Sequence, residues 1–303
     1  MRILIAGCGD IGTALGVELA AAGHEVWGLR RHPAGLPGAI RPFRADLTRP
    51  ATLAGLPGAI DIVVYTAAPG ESTDSVYRAT YVDGLRTLLQ TLAAQERPPH
   101  RVVFTSSTAV YGQTDGSWVD ETSPTAPRDF RGRRLLEAER LLAASPILAT
   151  VLRLGGIYGS GRTRLVDRLR RGKAACAEGP PRYGNRIHRQ DCVGALRHIV
   201  ELARPESLYL AVDQDPADEC EVLCWLAGQL GLPAPAVLPA GRASRRHNKR
   251  CRNGRLVASG YRFQYPTFRE GYAAVLRGLA EPAGRPAARI PSRPVGSERE
   301  LDR

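Results

Sequence analysis

Residues 7–12 combine three glycines and one acid in a spacing suited to binding the phosphates of a dinucleotide. They read Gly-Cys-Gly-Asp-Ile-Gly and follow an apolar run, residues 3–6, that is typical of a buried strand. The first glycine permits a tight turn, the second lets the backbone approach a pyrophosphate, and the third lets a helix pack closely on the strand. The alternative is an ordinary turn between a strand and a helix. We predict a dinucleotide site formed by Gly7, Gly9, Asp10, Ile11 and Gly12.

The residues after the second predicted strand indicate which dinucleotide would bind. That strand ends in Arg30 and Arg31, where no acid is present to hold a ribose 2′-hydroxyl. Two neighbouring guanidinium groups suit a 2′-phosphate, because arginine can bind phosphate through two hydrogen bonds. The sequence therefore favours NADP over NAD as the cofactor, the alternative being that both arginines are exposed loop charges. Asp46 is placed to accept a hydrogen bond from the adenine amino group.

Five short motifs follow one another along the chain. They are Asp46-Leu47, Ala67-Ala68, residues 105–112 (TSSTAVYG), residues 153–159 (RLGGIYG) and residues 185–191 (NRIHRQD). As an ordered set they resemble the motifs of the extended short-chain dehydrogenases/reductases, which include the sugar-nucleotide epimerases and dehydratases. The resemblance extends from Arg2 to about Leu279. We place Leu47, Ala67, Ala68 and Ser106 in the cofactor site, and Tyr158, Arg186, His188 and Arg250 in the substrate site.

The resemblance implies a catalytic hydroxyl, a catalytic tyrosine and a lysine. In such enzymes the hydroxyl polarises the reacting carbonyl, and the tyrosine exchanges a proton with the substrate oxygen. The lysine holds the ribose and lowers the pKa of the tyrosine. Counted back from Tyr111, the hydroxyl is that of Ser107, with Thr108 beside it.

The tyrosine and the lysine of this pattern are missing from the chain. In one register Phe130 replaces the tyrosine and Arg134 the lysine. In a second register, which fits the neighbouring residues better, Arg131 and Leu135 take these places. A phenyl ring donates no proton, and arginine is too basic to act as a base near neutral pH. Because acid–base assistance typically contributes about 10²–10⁴-fold to a rate, the usual mechanism cannot operate unchanged.

The lost phenol leaves several candidates to replace it. The asparagine that is usual in the family is also absent, and Tyr81 or Asp83 stands near its place. The candidate substitutes are Tyr111, Tyr158, His188 and Asp83. The alternative for both tyrosines is packing beneath the nicotinamide, and for His188 it is a structural hydrogen bond. The chain therefore resembles an atypical member of the family.

Alternating strand and helix patterns predict an α/β, Rossmann-type doubly wound parallel sheet with a small C-terminal substrate-binding subdomain. Strands are predicted at residues 3–6, 25–29, 60–67, 102–106, 148–154 and 207–212. Helices are predicted at 11–22, 75–94, 133–144, 164–171, 191–202 (capped by Asp191), 220–230 and 268–279. We assign residues 1–158 and 185–212 to the NAD(P)-binding domain, 159–184 and 213–280 to the substrate-binding subdomain, and 281–303 to a disordered tail.

The composition indicates a water-soluble globular protein. The 303 residues are 43% hydrophobic and 24% charged, which is normal for a soluble domain. No apolar run is long enough to span a membrane, and no signal peptide is visible, so we expect a cytoplasmic protein without a membrane partner. We predict that the six cysteines are free, buried thiols and that they form no metal site.

The placement of the net charge of +12 points to a substrate class. Residues 242–255 hold seven arginines and lysines and no acid. This stretch predicts contact with a phosphorylated or nucleotide-linked small molecule, the alternative being a solvated loop. Nucleic acid is disfavoured because no aromatic residues are interleaved with the charges.

Two functions follow from these motifs. We expect an NAD(P)-dependent oxidoreductase or epimerase that acts on a phosphate- or nucleotide-linked, sugar-like substrate. The alternative is a non-catalytic NADP(H)-binding sensor or scaffold that has lost the tyrosine and the lysine. The resemblance also implies a homodimer formed through helices 75–94 and 133–144.

Overall fold

The computed structural model describes residues 1–239 and 248–280 of the chain. Its strands are β1 Arg2–Ala6, β2 Glu25–Arg30, β3 Arg41–Arg44, β4 Ile62–Tyr65, β5 Arg101–Ser107, β6 Trp118–Val119, β7 Leu148–Leu154, β8 Gly156–Tyr158, β9 Ala175–Ala177, β10 Arg186–His188, β11 Leu208–Ala211, β12 Ala236–Leu238 and β13 Arg250–Cys251. Its α-helices are α1 Asp10–Ala21, α2 Asp74–Tyr77, α3 Gly84–Ala93, α4 Phe130–Ala143, α5 Arg164–Arg170, α6 Arg189–Glu201, α7 Glu219–Gln229, α8 Gly254–Ala258 and α9 Phe268–Ala280.

Seven strands form one parallel sheet in the order β11-β7-β5-β4-β1-β2-β3. The chain winds outward from β1 through β2 to β3, then returns to place β4 on the other side of β1. This reversal of direction creates a crevice at the carboxyl ends of β1 and β4, where ligands bind in doubly wound sheets. The predicted fold class, an α/β doubly wound parallel sheet of the Rossmann type, is confirmed.

Both faces of the sheet are covered, as the nearly continuous apolar strands require. In β1, Leu4 and Ala6 belong to one hydrophobic cluster, whereas Ile3 and Ile5 belong to a second cluster on the opposite face. All four side chains are fully buried. The alternation follows from the two-residue repeat of a strand. The sheet is therefore a rigid base from which the loops at its carboxyl edge project.

The helix predicted over residues 75–94 is interrupted by a π-helical turn. Residues 74–77 and 84–93 are α-helical, and Arg78–Asp83 between them is π-helical. π-Helical turns inside α-helices are rare and are frequent at functional sites. Periodicity did not indicate this turn, because an apolar pattern locates a helix without fixing its hydrogen-bond spacing.

One strand was missed, and one further local prediction was wrong. Strand β3 was not predicted, because its sequence Arg-Pro-Phe-Arg lies at the sheet edge and is largely exposed, so it lacks an apolar run. Asp191 does not cap a helix that begins at its own position. Helix α6 begins at Arg189 with His188 as its N-cap, and the His188 Nδ1 accepts a hydrogen bond from the Gln190 N–H.

A third hydrophobic cluster lies outside the central sheet. It joins residues of α5, α7 and α9, including Val166, Leu226 and Phe268, to Tyr158 of β8. Strands β9 and β12 pair beside α7 as a short parallel ribbon. These elements fall in the segments predicted to form a substrate-binding subdomain, and that division of the chain remains a prediction. No helix in the described ranges is long and apolar enough to cross a membrane.

The cysteine prediction was right for three residues and wrong for the others. Cys8, Cys192 and Cys251 are buried free thiols, whereas Cys224 is free but exposed. Cys176 and Cys220 form a disulfide between β9 and α7. A separation of 44 residues gave no sequence signal for this pair, because the fold alone brings them together. The predicted disordered tail at 281–303 and residues 242–247 of the basic stretch lie outside the described residues.

Candidate functional site

A cavity of about 880 Å³ opens at the carboxyl edge of the sheet. It is lined by residues 7–11, 29–32, 45–48, 66–68, 70–71, 76, 79–81, 105–107, 154, 155, 157 and 162. All the residues predicted to bind the cofactor lie on this wall, except Gly12, which packs beneath it. The cavity thus runs continuously from the glycine turn after β1 to the hydroxyl-rich end of β5.

The three glycines of the turn are needed for different reasons. Gly7 has φ +89°, and a Cβ there would lie 2.3 Å from the backbone of Ala67. A Cβ on Gly12 would lie 2.8 Å from Thr66 Oγ1 and 2.9 Å from a methyl group of Ile5. A side chain at either position would clash with neighbouring protein atoms, so packing within the protein explains both glycines.

Gly9 is not constrained in this way. A Cβ at Gly9 would meet nothing nearer than the Gly7 carbonyl oxygen at 3.9 Å among the described residues. Helix α1 starts directly after Gly9 and has no side-chain cap. Its first N–H groups are consequently available to an external acceptor. Open space above Gly9 and an uncapped helix end fit a pyrophosphate at this position.

Asp10, at the start of α1, is held by two arginines from distant parts of the chain. Its carboxylate accepts hydrogen bonds from Arg162 Nε at 2.9 Å and Arg189 Nε at 2.7 Å. Burial alone would raise the pKa of Asp10, but the hydrogen bonds from Arg189 and Arg162 lower it below its usual value. One carboxylate beside two guanidinium groups leaves this end of the cavity positively charged, which suits phosphate.

Arg30 and Asp46 frame the part of the cavity beyond β2. The Arg30 guanidinium donates a hydrogen bond to the Cys8 carbonyl oxygen at 3.3 Å, which ties it to the glycine turn. Arg31 and His32 beside it are exposed. The Asp46 carboxylate accepts hydrogen bonds from the backbone and hydroxyl of Thr48. One Asp46 oxygen is therefore already engaged, and the arginines are the groups available to an additional phosphate.

Ser107 and Tyr81 are among the hydroxyl-bearing residues that line the opposite end of the cavity. Ser107 ends β5, and its Oγ accepts the Ala109 N–H at 3.2 Å. Tyr81 lies in the π-helical turn and packs edge-on against Phe104. The Tyr81 hydroxyl has no hydrogen-bond partner within residues 1–239 and 248–280. Burial raises its pKa above the usual value for tyrosine, so the phenol stays protonated.

The start of helix α4 contains the residues that replace the missing tyrosine and lysine. The Phe130 ring packs edge-on against Tyr77, and the Arg131 guanidinium donates hydrogen bonds to Ser72 Oγ at 2.7 and 2.9 Å. Leu135 is buried in the core. Arg134 is paired with Asp74 and Glu137. None of these four replacement residues lines the cavity, so in neither register does α4 supply a phenol or an amine to it.

A buried network supports this end of the sheet, and sequence analysis did not identify it. Arg153 on β7 pairs with Glu139 on α4, the Nη2 to Oε2 distance being 2.6 Å, and both side chains are under 10% exposed. Glu139 also accepts a hydrogen bond from Ser106, and Arg153 donates one to the Tyr111 hydroxyl. The network ties β5, β7 and α4 together immediately below Ser107.

Tyr111 is part of that network and does not reach the cavity. It is fully buried, and its hydroxyl donates to the Asp120 carbonyl oxygen at 2.7 Å. Burial raises its pKa to about 12. A phenol that is fixed at both its donor and its acceptor positions cannot exchange a proton with a substrate, so Tyr111 packs and positions its neighbours. Thr108, in the short turn that follows β5, is also buried.

His188, Tyr158 and Arg186 lie behind the cavity rather than on its wall. Burial lowers the pKa of His188 to about 4, so the ring is neutral when it caps α6. Tyr158 stacks on Tyr272 with ring centroids 4.3 Å apart. The Tyr158 hydroxyl, Arg186 Nη1 and both carboxylate oxygens of Asp213 have no hydrogen-bond partner among the described residues. The substrate contacts assigned to these residues remain predictions.

The described part of the basic stretch is stacked on aromatic rings. The Arg250 guanidinium lies 4.8 Å from the Trp118 ring centroid and 4.7 Å from that of Tyr183. Arg252 covers Trp118 as well, at 5.0 Å. The linear sequence had shown no interleaved aromatic residues, because Trp118 and Tyr183 come from distant segments. Arg250 does not line the cavity. Asp83, a candidate to replace the missing tyrosine, does not line it either. Asp83 lies on the outer side of the π-helical turn and pairs with Arg78 and Arg86.

Comparisons with known proteins agree with this geometry. Residues 3–189 match the model of the NAD dependent epimerase/dehydratase family. A 3-diazoavenalumate denitrifying reductase from a Streptomyces species is 31% identical over an alignment of 273 residues that covers 81% of this chain and 86% of that protein. An NAD-dependent epimerase/dehydratase candidate from Methylobacillus flagellatus is 40% identical, with a TM-score of 0.77 over 92% of this chain and 99% of its own. MoeE5, solved with UDP-glucose and NAD, is 25% identical, with a TM-score of 0.74 over 92% of this chain and 100% of its own.

Proposed function

The chain belongs to the NAD-dependent epimerase/dehydratase family, and we propose from this premise that it is an NADP(H)-dependent oxidoreductase or epimerase. The observation that carries the proposal is the single cavity joining the glycine turn to Ser107 and Tyr81. A site for pyrophosphate and a site for proton transfer then lie at opposite ends of one space. The 31% identity to a protein named as a reductase supports hydride transfer.

The preference for NADP over NAD rests on Arg30 and Arg31. Both line the cavity after β2, and Arg30 is held toward the glycine turn by the Cys8 carbonyl oxygen. Neither arginine forms a salt bridge with an acid among the described residues, although the charge of Arg31 acts on the nearby Asp46 carboxylate. A ribose 2′-phosphate at this position would therefore gain two charge-assisted hydrogen-bond donors.

When bound, the nicotinamide would give or accept hydride. The protein must then polarise the substrate and move a proton. Ser107 Oγ already accepts an N–H bond from Ala109, so its own hydrogen is directed elsewhere, and we assign it to the substrate oxygen. We assign proton donation to Tyr81, because its side chain lines the cavity and its hydroxyl has no hydrogen-bond partner among the described residues. This arrangement replaces the proton donor that α4 no longer supplies.

We propose a phosphate- or nucleotide-linked substrate. Arg250 and Arg252 form a positive surface stacked on Trp118, in a stretch that holds seven basic residues and no acid. The binding of UDP-glucose by MoeE5 supports the nucleotide-linked class. A homodimer through α2–α3 and α4 accompanies this proposal as an untested expectation.

A second candidate function is a non-catalytic NADP(H)-binding sensor or scaffold. It is favoured by the start of α4, where Phe130, Arg131, Arg134 and Leu135 put neither a phenol nor an amine into the cavity. Both functions require the same cofactor site. They differ only in whether hydride is transferred, so one experiment can separate them.

The cofactor proposal is tested first by calorimetric titration of the purified protein with NADPH and with NADH. We expect NADPH to bind more tightly. Replacing both Arg30 and Arg31 with Ala should weaken NADPH binding by about 1.5–3 kcal/mol for each charged hydrogen bond lost and leave NADH nearly unchanged. Arg44→Ala is the matched control, because Arg44 is exposed on neighbouring β3 and does not line the cavity. Equal losses for both cofactors would refute the phosphate role.

The enzyme proposal is tested by following nicotinamide absorbance, which detects net oxidation or reduction, and by separating the sugar products by chromatography, which detects epimerisation without net change of the cofactor. NADP⁺ would be offered with UDP-glucose and with glucose 6-phosphate, and NADPH with an aryl aldehyde and a quinone. We expect turnover of at least one substrate that is lost in Ser107→Ala, while NADPH affinity is retained. Tight NADPH binding without turnover across this panel would favour the sensor. If neither NADPH nor NADH binds, both functions fail.

A further inference from the structure

Three cysteine sulphurs meet at a place remote from the cavity. Cys220 and Cys224 lie one turn apart on helix α7, and Cys176 faces them from strand β9. The three Sγ atoms all lie within 4.8 Å of one another. Cys176 and Cys220 form a disulfide, and Cys224 Sγ lies 3.9 Å from Cys220 Sγ. We call these residues the three-cysteine cluster.

The cluster is open to solvent on one side. Cys176 is buried, Cys220 is half-buried and Cys224 is exposed. Residues i and i+4 of a helix point to the same side, so α7 presents both of its sulphurs to β9. None of the three cysteines lines the cavity, and nothing in the proposed hydride transfer uses them.

The geometry does not favour a simple exchange in which Cys224 attacks the disulfide. Exchange requires the attacking sulphur to lie along the axis of the bond that breaks. With an S–S bond of about 2.05 Å, in-line attack on Cys220 from 3.9 Å would put Cys224 Sγ about 6 Å from Cys176 Sγ. The observed limit is 4.8 Å, so Cys224 lies beside the bond and the three sulphurs form a triangle.

A triangle of sulphurs is the arrangement that a thiophilic metal ion needs. A Zn–S distance of about 2.3 Å in tetrahedral geometry sets neighbouring sulphurs about 3.8 Å apart. Cys220 and Cys224 already have this spacing. After reduction of the disulfide, only Cys176 must withdraw, by about 2 Å, to complete the set.

We propose that the reduced three-cysteine cluster binds one Zn²⁺ ion through three thiolates. A dithiol reductant first supplies two electrons and two protons to the Cys176–Cys220 bond and becomes a disulfide itself. Zn²⁺ then displaces the three thiol protons, and water from the open side takes the fourth position. The disulfide and the metal are mutually exclusive, so the site is occupied only in the reduced protein. This proposal replaces the prediction that the chain has no metal site, and it is independent of the proposed function.

The test uses the full chain, reduced with a phosphine that is removed before titration. Co²⁺ serves as the spectroscopic probe, and Zn²⁺ then displaces it. We expect one Co²⁺ per chain with a thiolate-to-cobalt charge-transfer band, and loss of the band on addition of one equivalent of Zn²⁺. Protein with the disulfide intact should show no band.

Two variants make the result specific. Cys224→Ser removes an exposed thiol, so it should fold normally while weakening metal binding about tenfold or more. Cys251→Ala removes a buried thiol elsewhere and should leave metal binding unchanged. Absence of the band in the reduced protein would overturn the proposal, and so would an unchanged affinity in Cys224→Ser. NADPH titration of the same samples keeps this outcome separate from that of the cofactor site.

Discussion

The two ends of the cavity are built from the same sheet edge in different ways. At the turn end, Gly7 and Gly12 are fixed by close backbone and side-chain contacts, and Asp10 is held by two arginines. At the hydroxyl end, Ser107 and Tyr81 face the cavity, while the residues of α4 in the places of tyrosine and lysine do not.

This difference separates what binding requires from what chemistry requires. Pyrophosphate binding depends on backbone N–H groups and on space, so it tolerates few changes of residue type. Proton transfer depends on one group with a suitable pKa and position, which another element can supply. In this chain the π-helical turn, rather than α4, brings a phenol to the cavity. In the proposed function, the turn end thus keeps the family's glycine pattern, whereas the hydroxyl end takes its phenol from a different element.

The largest effect is expected from removing the support beneath the hydroxyl end. Arg153→Met leaves the Glu139 carboxylate buried without its cation. Loss of one partner of a buried ion pair typically costs about 3–5 kcal/mol. The free energy of unfolding, measured with urea, should fall by this amount. Arg197→Met, which breaks an exposed pair with Glu201, should cost less than about 1 kcal/mol, and similar losses in both variants would contradict the assigned role.

The second effect is expected at the hydroxyl end, from removing the hydroxyl group of Tyr81. Tyr81→Phe removes the proton donor without changing the shape of the ring. With any substrate that the enzyme turns over, kcat should fall about 10²–10⁴-fold, and the dissociation constant for NADPH should remain nearly the same. Tyr77→Phe is the matched control, since Tyr77 packs against Tyr81 but does not line the cavity. A Tyr81→Phe enzyme with normal kcat would show that the proton comes from another group.

The smallest effect distinguishes the glycines at the turn end. Gly9→Ala should change the free energy of unfolding by less than about 1 kcal/mol, because a methyl group there would make only an ordinary contact, 3.9 Å from the Gly7 carbonyl oxygen. It should nevertheless weaken NADPH binding about tenfold or more, equivalent to about 1.4 kcal/mol. Gly12→Ala should show the opposite balance, with a stability loss of about 1–3 kcal/mol from overpacking. Urea unfolding and calorimetry on both variants decide the matter, and unaltered NADPH binding in Gly9→Ala would place the pyrophosphate elsewhere.

Sequence was sufficient for the fold and for the position of the turn end, because both depend on local patterns. Buried strands appear as apolar runs, and the glycine turn has its own spacing. The arginines that hold Asp10 could not be predicted, since Arg162 and Arg189 are distant along the chain and carry no local signal. Tyr81 was noted only by its position near the usual asparagine, because the π-helical turn that directs it is invisible to periodicity.

The remaining differences arise where tertiary contacts decide. Tyr111 and Tyr158 have the same side chain as a catalytic tyrosine, but packing places both in the interior. The Cys176–Cys220 pair depends on β9 lying against α7. Residue type therefore identified candidates, and only the three-dimensional structure selected among them.

The arginine clamp on Asp10 also bears on how the protein is synthesised. Asp10 is joined to partners 152 and 179 positions later in the chain. At a synthesis rate of about 5–20 residues per second, the second partner follows Asp10 by roughly 10–40 s. During that interval a nascent chain carries the glycine turn without the two guanidinium groups that hold Asp10 in the folded protein. The arrangement of charges around the glycine turn is therefore complete only after Arg189 has been synthesised, when well over half of the polypeptide exists.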